Sequence, residues 1–390
     1  MTVTIIIIIC VLLLLAYVFD ISASKTKIPS VILLLLLGFL FKQITLYFQI
    51  EVPDLNFLLP ILGTVGLILI VLEGSLELEY NKSKIPLIRK SMLVALLPML
   101  IFSAIFAALF SHFGNISFQA GLANAIPFAV VSSAIAIPSA QNLSDSNREF
   151  VTYESSLSDI FGVIFFNFIT LNEVITFGSF TKFTFEIMLM LVITVIATLG
   201  LAFLLSKIKH HVKYAPIILI IILIYAITKI YHLPGLLFIL LFGLSLGNLD
   251  VFKDVSFIKL LKPEILEEEV HKFRELVIEM AFLVRALFFL LFGFLINLNE
   301  LLNVDAVVWT MGILATIYIL RFIFLTLFKI NLNPILYIAP RGLITILLFL
   351  NIPERQSVNL VNNSLTIQVI LLTAIVMMFG LMFQKKEITE

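Results

Sequence analysis

Apolar runs of about twenty residues recur from one end of this chain to the other, each long enough to cross a hydrocarbon core of about 30 Å. No other feature restricts the fold so strongly. A segment in lipid must satisfy its backbone polar groups internally, so it is either a helix or part of a closed barrel. The runs are continuous and do not alternate, which selects helices. Only 13% of the 390 residues are charged and 61% are hydrophobic, too little polar surface for a water-soluble protein of this size. The sequence therefore predicts an all-α membrane protein.

The spans are expected at 2–19, 28–47, 55–76, 87–110, 116–141, 147–171, 183–206, 215–230, 234–249, 276–298, 305–328, 333–352 and 363–384, which makes about thirteen helices. The two short ones within 215–249 are the weakest in pattern. An odd number places the termini on opposite sides, and basic residues choose the side. With the N-terminus outside, about eighteen Lys and Arg fall in inward loops and four in outward loops (Lys42, Lys182, Lys229 and Arg355). This bias predicts a cytoplasmic C-terminus. The first run lacks a basic leader and reads as a retained span. Short loops and the lack of a targeting segment point to a bacterial inner membrane.

No soluble domain interrupts the spans. The longest loop, about 250–275, reads as a charged connector whose later part is a helix running into the next span, and the tail ends in K-K-E-I-T-E. Net charge is zero, so nothing marks a nucleic-acid partner. The single Cys10 excludes an internal disulfide and reads as a small core residue. No H-E-x-x-H, D-D-x-x-D or G-x-S-x-G motif is present, so an intramembrane enzyme finds no support.

Carboxylates and guanidinium groups at membrane depth are costly, and they line pathways or pair with one another. Here they are Glu73, Glu154, Asp159, Arg285, Arg321 and Arg341. In Y-E-S-S-L-S-D-I-F-G, Tyr153 to Gly162, Ser155 and Asp159 lie four apart and share a helix face. Glu154 and Ser158 share a neighbouring face. One carboxylate can thus meet a cavity and hold a cation while the other turns into the packing toward a buried arginine, with Arg321 and Arg341 available. Glu73 ends a long apolar run as either a site residue or an interfacial anchor, with Glu77 and Glu79 beyond it.

Two spans carry helix-breaking signals at mid-depth. One is F-A-V-V-S-S-A-I-A-I-P-S-A, Phe128 to Ala140, with Pro138 and three serines. The other is Y-I-A-P-R-G-L-I-T-I-L, Tyr337 to Leu347. Proline removes a backbone donor, and unwound backbone at this depth lines a cavity or is buried in protein. With span seven as a linker, each broken span is fifth in its half. Broken spans in matching positions are the mark of an inverted-repeat transporter.

At this point the residues resemble the monovalent cation:proton antiporters, the sodium/proton exchanger group. E-S-S-L-S-D at 154–159 resembles that family's E-S-x-x-N-D signature, and L-E-G-S-L-E-L at 72–78 the end of its third helix. F-F-L-L-F-G-F at 288–294, Arg321 in I-L-R-F-I-F and P-R-G-L-I-T at 340–345 resemble its tenth-helix, eleventh-helix and R-G-x-x-x-S/T motifs. The resemblance implies two inverted-topology repeats with crossed interrupted helices. It implies dimerisation-domain helices 1–3 in 1–76 and 8–10 in 215–298, and core-domain helices 4–6 in 87–171 and 11–13 in 305–384. It also implies a linker helix 7 in 183–206 and a homodimer in lipid. Asp159 would carry the ion and the proton, with Glu73 and Ser155 as further ligands and Glu154 paired with Arg321 near Arg341. Two departures stand out. Ser158 replaces the family's Asn, and Ala134-Ile135 replaces the Thr-Asp of the fifth-helix crossing, leaving Ser132 and Ser133 to supply oxygen.

The implied chemistry is competition. Burial disfavours the charged form of a carboxylate, so a proton competes there with Na⁺ or Li⁺, which suit hard oxygen ligands. One exchanging acid makes the transport electroneutral. No enzymatic cofactor is expected; the partners are monovalent cations and protons. A sodium-coupled solute symporter or a K⁺/H⁺ exchanger on the same scaffold is the alternative.

Overall fold

The computed structural model describes residues 2–26, 28–50, 52–78, 82–172, 175–208, 210, 212–231, 233–249 and 263–383. All the regular structure among the described residues is helical. In chain order, α1 is Thr2–Thr26, α2 Ser30–Tyr47, α3 Leu58–Glu77, α4 Ile85–Gly114, α5 Phe118–Ala129 and α6 Ser133–Ser139. Then come α7 Asp145–Leu171, α8 Phe177–Lys207, α9 Tyr214–Ile230, α10 Gly235–Gly247 and α11 Pro263–Leu295. A short α12, Leu298–Leu301, leads to α13 Val304–Leu327, α14 Leu343–Leu350 and α15 Asn363–Met382.

Among the described residues ten segments, counting α5 with α6, are long and apolar enough to cross a membrane. The shorter apolar helices α9 and α10, and the 335–350 segment ending in α14, complete thirteen spans. The chain is an integral membrane protein of the all-helical kind that its hydropathy predicts.

Local chemistry sets the helix ends. Pro86 occupies the first turn of α4, where a missing N–H is harmless, and Asn115 ends that helix in the left-handed conformation at φ 51°. Ser117 starts α5 by accepting the Ala120 N–H at 3.1 Å, and Asn362 starts α15 by accepting the Leu365 N–H at 3.0 Å.

Two sets of helices pack within themselves. The first comprises α4, α5, α6, α7, α13, α14 and α15, with α4 against α5, α7 and α13 and α15 against α13. In the second, α11 packs on α2 and α3, α10 on α3, α8 and α9, and α1 on α2. The sets meet chiefly at α3, which touches α6, α7 and α14. Small residues permit the closest approach. A Cβ on Gly38 of α2 would overlap the Leu290 carbonyl of α11, and one on Gly293 of α11 would overlap the Leu35 carbonyl. Lys42 fixes the same pair by donating to the Ile296 carbonyl at 3.0 Å and the Asn297 side chain at 2.6 Å, at the carbonyl-rich end of α11.

Two expectations are corrected. Cys10 is exposed, on the outward face of α1 that also carries Ile6, Leu14 and Tyr17. The break in span five is at 130–132, not at Pro138, which lies within α6. The later part of the 250–275 connector is helix from Pro263, running into the next span as expected; residues 250–262 and the K-K-E-I-T-E tail lie outside the described residues.

Candidate functional site

The chemistry gathers on α7. Glu154, Ser155, Ser156, Ser158 and Asp159 are all buried, none more than 2% exposed. Helical rotation sends the two carboxylates to different neighbours. Glu154 meets Arg321 of α13 in a two-pronged ion pair, with Nη2 2.9 Å from Oε2 and Nη1 on Oε1. Arg321 Nε donates to the Ile335 carbonyl at 2.9 Å, so all three guanidinium nitrogens are engaged. The planar fork matches a carboxylate in a way that a lysine could not.

The two interrupted helices cross beside α7. Residues 130–132 separate α5 from α6, and residues 338–342 precede α14. Every helix break frees backbone groups that need partners in lipid, and specific side chains supply them here. Ser158 Oγ accepts the Val131 N–H at 2.9 Å, and the Ser132 N–H donates to the Pro340 carbonyl at 2.9 Å, tying one break to the other. The Arg341 N–H donates to Thr373 Oγ1 at 3.0 Å. The Arg341 guanidinium donates to the carbonyls of Phe128 at 2.7 Å, Ala129 at 3.1 Å and Ala339 at 2.7 Å. Arg341, grouped with Glu154 in the sequence reading, therefore grips the carbonyl end of α5; the freed carbonyls take its donors. Gly342 fits the crossing because a Cβ there would stand 2.6 Å from Ile135 Cδ1 and 2.9 Å from Ser132 Oγ.

Asp159 has different company. Oδ2 accepts the Ser133 N–H at 3.3 Å and the Ser133 hydroxyl, and Oδ1 has no protein donor. Among the described residues no arginine pairs with it. Ser155 Oγ donates to the Val151 carbonyl at 2.7 Å, leaving its lone pairs free. Ser132 sits at the crossing against Gly342 rather than on Asp159. Glu73 lies across the α3–α11 contact from Arg285, 3.8 Å away. Glu77, one turn on, meets Arg274 at 3.1 Å, and Glu79 lies outside the described residues.

The structure thus brings Asp159 to Ser133 and Glu154 to Arg321, and gives Glu73 to Arg285. Sequence reasoning noted Arg285 without a partner and passed over Thr373 and Ser156. Nothing in the local pattern of α11 points to α3, and a lone threonine in apolar α15 resembles any packed hydroxyl. A cleft of 280 Å³ opens between the two sets of helices, lined by Thr64 and Leu67 of α3, Val163 and Asn167 of α7, Tyr225 of α9 and Asn351 after α14. Val163, at the edge of this cleft, is one helical turn from Asp159, which does not itself line it. A second cavity of 30 Å³ lies beside Glu154, Arg321 and Arg341.

The transmembrane sodium/hydrogen exchanger profile matches residues 9–385, nearly the whole chain. The chain belongs to the sodium/hydrogen exchanger family. Its fold is also that of the sodium proton antiporter MjNhaP1 from Methanocaldococcus jannaschii. The structure of that protein at pH 8 superposes with a TM-score of 0.65 at 18% identity, covering 98% of this chain and 100% of the other. A map of the same antiporter by electron microscopy gives a TM-score of 0.67 at 19% identity, over 98% and 95% of the two chains. No curated protein sequence matches significantly. As a sodium/hydrogen exchanger, the chain is a secondary active Na⁺/H⁺ antiporter, and a sodium-coupled symporter is not favoured.

Proposed function

We propose that Asp159 is the one exchanging group of this antiporter, binding either a Na⁺ (or Li⁺) or a proton in each half-cycle. The carrying observation is its setting: a buried carboxylate that, among the described residues, has no arginine partner and one oxygen, Oδ1, without a protein donor. Ser133 and Ser155 add neutral hard oxygens, suited to a small cation. Ser132 and Ser158 serve the crossing that frames the site, and Glu73 contributes from α3. Glu154 with Arg321, beside Arg341, holds the frame and takes no part in exchange. Position 158 bears no second acid, which supports 1:1 electroneutral transport.

Alternating access moves the α4–α7 and α13–α15 set, as a core domain, against α1–α3 and α9–α11, as a dimerisation domain, with α8 as linker. Outward apolar residues on α1 support lipid contact and a homodimer. The distribution of Lys and Arg supports an outside N-terminus and a cytoplasmic C-terminus in a bacterial inner membrane, so the cleft at the C-terminal end of α7 faces outward.

Proteoliposomes carrying a pH dye test this reading. A Na⁺ gradient should drive proton flux at the same rate with the membrane potential clamped or free, and Asp159→Asn should abolish flux while the protein still elutes as a folded species. Flux retained by Asp159→Asn removes Asp159 from the mechanism; flux driven by potential alone removes the 1:1 count.

A further inference from the structure

Three serines precede Asp159 within one turn, and two of them are occupied. Ser155 donates to the Val151 carbonyl at 2.7 Å and Ser158 accepts the Val131 N–H at 2.9 Å. Ser156 is 1% exposed and its hydroxyl has no partner among the described residues. A serine inside a helix ordinarily bonds back to a carbonyl three or four residues earlier, as Ser155 and Ser139 do. Ser156 departs from that habit in the dry interior, where an unmade hydrogen bond is unfavourable.

Its direction is set by two neighbours. A Cβ on Gly74 of α3 would lie 3.1 Å from Ser156 Oγ and 3.3 Å from Ile137 Cδ1. Ile137 is one turn along α6 from Ser133, and Ser133 is the residue on Asp159. Going from Asp159 to Ser156 along α7 therefore matches going from Ser133 to Ile137 along α6. The hydroxyl and the carboxylate, three apart on α7, lie on one side of that helix against the same α6–α3 wall. Both carry an oxygen without a partner, Ser156 Oγ and Asp159 Oδ1. Gly74, next to Glu73, leaves room between the helices.

We propose that Ser156 is a further Na⁺ ligand, acting with Asp159 Oδ1. This rests on the reading of Asp159 as the exchanging carboxylate. The hydroxyl is a neutral, hard oxygen donor, so it adds affinity for the metal ion without adding charge. A proton on Asp159 needs no second oxygen, and a coordinated cation does. Ser156 thus biases the competition toward Na⁺.

Initial-rate exchange in proteoliposomes at fixed pH tests this with Ser156→Ala, Ser156→Cys and Asp159→Asn. Ser156→Ala should raise KM for Na⁺ about five-fold or more, with kcat within about two-fold of the parent. Ser156→Cys should behave like Ser156→Ala, because the thiol fills the space but is a soft, poor ligand for an alkali cation. A parental KM in both serine variants overturns the proposal. So does a parental KM in Ser156→Cys alone, which would assign the serine to packing. Exchange persisting in Asp159→Asn would instead overturn the Asp159 reading. An inactive Asp159→Asn alongside a parental Ser156→Ala would refute only the role of Ser156.

Discussion

Glu154→Gln isolates the ion pair that frames the site. The substitution keeps the side chain's size and removes its charge. Arg321, 4% exposed, keeps the Ile335 carbonyl and at most one amide oxygen where it had two carboxylate oxygens. Removing one partner of a buried pair costs about 3–5 kcal/mol, because the other charge is left uncompensated in a low dielectric. An unfolding entropy of about 2.1 cal/mol/K per residue, over 390 residues, comes to about 0.8 kcal/mol/K. The melting temperature should therefore fall by about 4–6 °C. Loss of the monodisperse chromatography peak in detergent on heating is a suitable readout. The double variant Glu154→Gln with Arg321→Gln should recover much of the loss, since neither charge is then stranded. A Glu154→Gln protein melting within about 1 °C of the parent would refute the reasoning. A double variant whose loss equals the sum of the two single losses would do the same, by showing that the residues do not depend on each other.

Two further outcomes are expected. Gly38→Val forces a branched side chain into the α11 backbone, with Phe294 N already 2.8 Å from the first added carbon, so folded protein should be lost on size-exclusion chromatography; a parental elution profile would contradict the close α2–α11 contact. Competition at one carboxylate makes the apparent KM for Na⁺ rise with proton concentration on the acid side while the rate at saturating Na⁺ holds; a falling saturated rate at constant KM would separate the two sites.

The spans were legible because lipid demands long apolar helices, and even α9 and α10 fall within the expected 215–249. Broken spans five and twelve announced themselves through proline and glycine, but the position of the first break did not. Pro127 and Pro138 both sit inside helix, and the chain unwinds between them at 130–132. Tertiary partners decide that location: Arg341 takes the freed carbonyls of Phe128 and Ala129, and Ser158 takes the freed Val131 N–H. These residues lie far apart in sequence, so no local pattern encodes their meeting. At the site, helical spacing separated Glu154 from Asp159 in direction. It could not distinguish Ser155, bonded back to its own helix, from Ser156, which is not. Nor could it match Arg285 to Glu73, a pairing that depends on how α11 lies against α3.

The grip of Arg341 on the carbonyls of Phe128, Ala129 and Ala339 has a mechanical consequence. Three hydrogen bonds tie the two crossing segments together, from this guanidinium to Phe128 and Ala129 and from Ser132 to Pro340, while Arg341 to Ala339 and Val131 to Ser158 brace each segment on its own side. None of them involves a carboxylate. On the proposed reading of Asp159, a change of cargo alters its bonds to Ser133 but leaves these others in place, so the joint would hold whether loaded with metal or with hydrogen.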